Sequence, residues 1–311
     1  MKRAGSGHAL SLLYLNDLKS PRIWGTLAIV VAAYFIAGPI ELFIFHSLTH
    51  AFNLRSGSPN TLIKSRYGTL MLVRLLLNSV LWVAVCKMLN RSAIAFPLNR
   101  RRFLRHTLVG LATGLAVMLA TMFSIWGLEA AVVTRSGQTL ASACGNGFAW
   151  LILDFVGALG EELYGRAIVL VVAERFLGWR GAVLVSGLMF SGFHLDNPGA
   201  SRIWLFRLFA QGCVLAYATF RSRSIWWSVG YHTGWNWISA PLFGAAGSGY
   251  LDEGHLFNFA PHGSIWITGG AVGPEGSIFA FVAVFVALGL LFITTSSIKK
   301  QKRADCQIVA A

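Results

Sequence analysis

Hydrophobic runs close to the ~20 residues needed to cross a bilayer recur along this whole sequence, which commits most of the chain to membrane-spanning helices rather than to one water-soluble core. The clearest are Trp24 to Phe45, Tyr67 to Leu89, Leu108 to Leu128, Gly181 to Leu195, Ile203 to Phe220 and Ile278 to Ile293, parted by polar or Gly/Pro-rich sequence. Two more runs carry polar chemistry. Phe148 to Val172 holds four charged residues, and Ile225 to Phe243 holds His232 and Asn236. Of the 311 residues 55% are hydrophobic and 12% charged, about half the charge of a soluble domain. The expectation is all-α: a polytopic membrane helical bundle of about eight transmembrane helices, forming one integral membrane domain over residues 1–311.

The formal charge of +14 raises nucleic acid as a partner, but the basic residues are spread over short loops and both ends with no basic module among them. Orientation explains them better. On an eight-span ladder Lys2, Arg3, Lys19, Arg22, the Arg91 to Arg105 segment, Arg175, Arg180, Arg221, Arg223 and Lys299 to Arg303 share one side. That side is cytoplasmic by the positive-inside rule, so both termini are expected there. The other side receives Arg55, Lys64, Arg66, Arg135 and Arg202 with the acidic Asp252, Glu253 and Glu275. The first span is too long for a signal peptide's apolar region, and is read as retained.

Cys86, Cys144, Cys213 and Cys306 show no CxxC spacing and read as packing residues. Cys306-Gln-Ile-Val is followed by Ala310 and Ala311, so it is not a C-terminal prenylation box. Gly110-Leu-Ala-Thr-Gly114 is a small-xxx-small match that lets a neighbouring helix approach. Gly269 to Gly276 lacks the Lys-Ser/Thr of a phosphate loop, and reads as a turn that places Pro274 and Glu275 in the first turn of the last helix.

Ionisable groups at membrane depth cost roughly 2.5 to 3.5 kcal/mol each on insertion scales, so each needs a partner or a function. Gly160-Glu-Glu-Leu-Tyr-Gly-Arg166 places two carboxylates and a guanidinium within two helical turns. Glu162 and Arg166, four apart, share a helix face suited to an ion pair. Glu161 points about 100° away and is left free for proton transfer. His194 ends the next span, before the turn Asp196-Asn-Pro-Gly199. His232 and Asn236, again four apart, present an imidazole and a carboxamide on one face. A carboxylate, two imidazoles and an amide supply a general base, an orienting partner and oxyanion donors, which is a hydrolytic inventory. No Gly-x-Ser-x-Gly elbow and no His-Glu-x-x-His helix is present.

These motifs, in this order on separate hydrophobic segments, resemble the CAAX protease and bacteriocin-processing family of intramembrane endopeptidases, also called Abi, relatives of the Ras-converting prenyl endopeptidase. The family pattern Glu-Glu-x-x-x-Arg, Phe-x-x-x-His and His-x-x-x-Asn/Asp is met by Glu161-Glu162 with Arg166, Phe190 with His194, and His232 with Asn236. The Gly269 to Gly276 stretch also resembles a loop of bacterial relatives. The resemblance implies a catalytic core at about 147–245, where Glu161 and His194 activate a water, His232 and Asn236 stabilise the oxyanion, and Glu162 and Arg166 support the site. It implies no cofactor, and a membrane-associated protein or peptide substrate, prenylated or not.

Three alternatives stay open. Glu161, His194 and His232 are the residue types of a His₂Glu zinc site, while His46 and His50 read as interfacial residues. The chain can instead be a non-proteolytic immunity or regulatory partner of the same fold, and a transporter would need two inverted halves that the sequence lacks. Entry to the site is expected from the cytoplasmic side, against which stands His194's place toward the other end of its span.

Overall fold

A computed structural model describes residues 20–53, 59–100, 102–251 and 254–295. Lys2, Arg3, Lys19, Arg55, Arg101, Asp252, Glu253, Lys299 to Arg303 and Cys306, with Ala310 and Ala311, lie outside the described residues. The long helices are α1 (Pro21–Ala51), α2 (Pro59–Met88), α3 (Phe103–Gly127), α4 (Leu140–Glu162), α5 (Leu170–Gly192), α6 (Arg202–Ser222), α7 (Trp226–Trp237) and α8 (Ile278–Thr294). Pro21–Ala51, Ile63–Met88, Phe103–Gly127 and Arg202–Ser222 are long and apolar enough to cross a membrane, and α8 is a shorter apolar helix. Large apolar side chains such as Phe43, Leu76, Val80, Phe206 and Phe285 face outward, as a bundle immersed in lipid requires. The protein is an all-α integral membrane bundle.

The boundaries around the two polar runs differ from expectation. The helix begun by α4 does not stop at Val172: it widens into a π-helical segment over Leu163–Val169 and runs on into α5, breaking only at Gly178 (φ 66°, ψ 177°). A wider turn disturbs the regular i→i−4 ladder, and side chains from neighbouring helices bond the carbonyls beside it. Asn78 Nδ2 donates to Gly160 O (3.0 Å) and Ser186 Oγ to Gly165 O (2.9 Å). Likewise α7 ends in a π segment, Ile238–Leu242, around Pro241, which has no N–H to continue the ladder.

Contacts between loops fix an up-and-down order. At one end the Ile225 N–H reaches Pro97 O, Trp226 Nε1 donates to Asn99 O, and Arg221 ties to Thr295. Trp24 packs on Phe176 at 5.1 Å between ring centroids. At the other end the segment after α3 forms β1 (Ala131–Arg135), paired antiparallel with β2 (Phe257–Pro261), a small ribbon that no sequence pattern announced. There Asn197 Nδ2 also donates to Ser248 O at 2.9 Å. Arg22, Arg91, Arg100, Arg102, Arg105, Arg175, Arg180, Arg221 and Arg223 belong to the first end, which is the basic one.

The loop after α7 returns through Gly269–Gly276, and here the expectation of a helical first turn is corrected. Pro274–Gly276 is a separate 3₁₀ turn, and α8 begins after Ser277, whose side chain accepts from the Ala280 N–H. Glu275 is buried and paired with Arg207 of α6 at 2.9 Å, with Ser248 Oγ donating to the same carboxylate oxygen at 3.0 Å. Position 273 requires glycine twice over, by its φ of 84° and because a Cβ there would lie 1.9 Å from Ala246 O.

The closest helix pair positions the site. A Cβ at Gly110 or Gly114 of α3 would sit 2.1 Å from the carbonyl oxygens of Trp227 and Tyr231, and one at Gly230 of α7 would sit 2.1 Å from Thr107 O. Gly234 faces Leu111 O in the same way, at 2.5 Å. Two small-xxx-small stripes therefore interlock backbone against backbone. His232 and Asn236 follow Gly230 and Gly234 by two residues, about 200° around the helix. Packing α7 by its glycine face turns its polar face inward.

Candidate active site

Inside the bundle lies a cavity of about 700 Å³ lined by Glu161, Arg166, Phe190, His194, His232 and Asn236 together with residues of α1 and α2. Every motif position except buried Glu162 reaches this one space. Its wall runs from the middle of the bundle, at Asn78 and Arg166, to Ser248, Tyr250 and Leu251 in the loop after α7. That loop is at the end opposite the basic one, so the expected entry from the basic side is not the path this wall provides.

Glu162 is fully buried and forms the expected pair with Arg166, Oε2 to Nε at 3.1 Å, both side chains 0% exposed. Its other oxygen accepts from His232 Nδ1 at 3.0 Å. A carboxylate held by a guanidinium only accepts, so Nδ1 carries a proton and Nε2 is turned toward Glu161 Oε2, 3.9 Å away. Helix α7 is thus pinned to the last residue of α4, just before the π segment, through a buried carboxylate.

His194 is oriented just as specifically. Its Nδ1 lies 2.7 Å from Phe190 O, one turn back. A carbonyl cannot donate, so Nδ1 bears the hydrogen, and when the ring is neutral Nε2 is its acceptor. The Phe190 ring stands among the polar groups: Arg166 Cζ sits 4.4 Å from its centroid, and the rings of His194 and His232 lie at 4.9 and 5.7 Å. The aromatic face covers a guanidinium whose Nη1 and Nη2 have no hydrogen-bond acceptor among the described residues.

Glu161 departs from its expected isolation. Arg74 of α2 contacts its Oε1 through Nη1 at 2.9 Å, and the Nε of the same guanidinium contacts Glu41 of α1 at 3.1 Å. Sequence reasoning missed Arg74 and Glu41. The available signal was the cost of burying charge, since a carboxylate inside α1 and an arginine inside α2 each demand a partner. Among the described residues no group of three or more His, Cys, Asp or Glu side chains is disposed to hold a metal ion, the Glu161, His194 and His232 set included.

Residues 143–238 match the family of type II CAAX prenyl endopeptidases, Rce1-like. Over that stretch the chain is similar to CAAX proteases. The match takes in Glu161, Glu162, Arg166, Phe190, His194, His232 and Asn236, and leaves out α1 to α3 with Glu41 and Arg74. No curated protein and no solved structure matches the chain. The matched segment half encloses the cavity, which is completed by residues outside it, among them those of α1 and α2.

Proposed function

We propose that this protein is an intramembrane endopeptidase that cleaves a peptide bond of a membrane-associated protein or peptide with an activated water. The observation that carries this is the meeting, in one cavity, of Glu161, His194, His232 and Asn236 from three separate hydrophobic segments, within a stretch that matches prenyl endopeptidases. Glu161 Oε2, its partner oxygen being held by Arg74, takes a proton from the water while the water oxygen attacks the scissile carbonyl carbon. His194, through its unprotonated Nε2, holds that water. Asn236, and His232 when Nε2 also carries a hydrogen, donate to the oxyanion. Collapse of the tetrahedral intermediate breaks the C–N bond, and the proton on Glu161 passes to the leaving amine.

The reaction as written uses no resident cofactor. Two cations already lie against the Glu161 and Glu162 carboxylates, which disfavours a divalent ion beside them. Stoichiometric zinc in the purified protein, lost together with activity in His194→Ala, would transfer the chemistry to a metal. Substrates reach the site from the bilayer or from the sparsely charged end, where the loop residues Ser248, Tyr250 and Leu251 line the cavity. With the basic end cytoplasmic, that end and its mouth face away from the cytoplasm.

The test compares new protein N-termini, by mass spectrometry, in membranes of cells making the native protein or Glu161→Gln at equal levels. Termini that appear only with the native chain establish proteolysis and identify substrates. Identical profiles from two folded, inserted proteins would move the assignment to a non-proteolytic membrane partner.

A further inference from the structure

Arg74 stands where a carboxylate inside a membrane bundle most needs help, yet it lies on a helix outside the matched stretch. Glu161 and Glu162 are adjacent in sequence and both inside the bundle. Glu162 has Arg166 and His232 within 3.1 Å, while the ion-pair partner nearest to Glu161 is Arg74 at 2.9 Å. Among the described residues, the nearest charged or titratable partner of Glu161 without Arg74 would be His232 at 3.9 Å.

The geometry is more directed than charge balance requires. Arg74 offers Nη1 to Glu161 and turns Nε, on the other edge of the guanidinium, to both oxygens of Glu41 at 3.1 and 3.4 Å. A fork held at two edges cannot swing away. One turn further along α2, Asn78 Nδ2 binds the Gly160 carbonyl just before Glu161. Helix α2 therefore holds Glu161 twice, by backbone and by carboxylate. Arg74 and Glu161 keep 27% and 25% of their side-chain surface exposed to the cavity, so the contact is reachable by small solutes.

We propose that Arg74, braced by Glu41, is the positioning residue that aims the Glu161 carboxylate at the attacking water. This rests on the proteolytic reading of the same cavity. It also couples α1 to the chemistry, because displacement of α1 withdraws the brace.

The test uses full-length protein in membranes and a peptide spanning a bond whose cleavage depends on Glu161. Arg74→Gln lowers kcat by about 10-fold to 100-fold with KM nearly unchanged, as expected when a reacting group is misaimed. Arg74→Lys recovers part of the loss, and guanidinium ion added to Arg74→Ala restores turnover. Glu41→Gln gives a smaller loss in kcat. Full turnover by Arg74→Gln overturns the proposal, and so does a raised KM at unchanged kcat, which would put Arg74 against substrate. If Arg74→Gln fails to insert, Arg74→Lys decides: an ammonium keeps the charge without bridging both carboxylates, and native kcat there also overturns it. If Glu161→Gln leaves the N-terminal profile as in the native chain, the proteolytic reading itself falls, and this proposal with it.

Discussion

Two neighbouring glutamates carry opposite burdens. Glu162 is fully buried between Arg166 and His232, so its removal leaves a guanidinium uncompensated. Loss of one partner from a buried pair costs about 3 to 5 kcal/mol, and Glu162→Ala is expected to lower the thermal unfolding midpoint in detergent sharply. Glu161 is a quarter exposed, so Glu161→Gln is expected to leave the midpoint little changed and, on the proposed reading, to abolish hydrolysis. Equal destabilisation by the two substitutions would contradict this division of labour. The Glu162–Arg166 contact could be read from the chain because helix geometry alone brings residues four apart together. Arg74 and Glu41 could not: they are separated from each other by 33 positions and Arg74 from Glu161 by 87. Only the packing of three helices makes them neighbours.

At the scale of elements, the site depends on how closely α7 can approach α3. The stripe Gly110 and Gly114 is visible as a spacing, and the same pattern at Gly230 and Gly234 is its other half. Gly230→Ala puts a methyl 2.1 Å from Thr107 O, so α7 must move outward and carry His232 and Asn236 with it. Overpacking of this kind costs about 1 to 3 kcal/mol. A shift near 1 Å at a reacting group costs up to about 100-fold in rate. The expected outcome is a folded protein whose turnover falls far more than its stability, measured as kcat against unfolding midpoint; unchanged turnover would show that the glycines serve packing only. The spans themselves were legible because each is written locally in apolar residues. The π segment over Leu163–Val169 and the β1–β2 ribbon were not, since no local pattern specifies a widened turn or a pairing between segments more than a hundred residues apart.

For the molecule as a whole, the loop contacts place the α2–α3 connection at the basic end and the α3–α4 connection at the ribbon end. Parity follows from those contacts, whereas the sidedness rests on the arginines, which cytoplasmic loops retain. In a background with the four cysteines replaced, Gly137→Cys and Arg100→Cys report on the two ends, both positions being exposed. A membrane-impermeant maleimide applied to intact cells is expected to modify Gly137→Cys, and to modify Arg100→Cys only after permeabilisation. Labelling of both from one side would contradict the up-and-down order. The reverse pattern would leave the bundle intact but turn it over, and the consequence is functional: the cavity wall that ends at Tyr250 and Leu251 would then open toward the cytoplasm, and its substrates would have to be sought among proteins presented from that face.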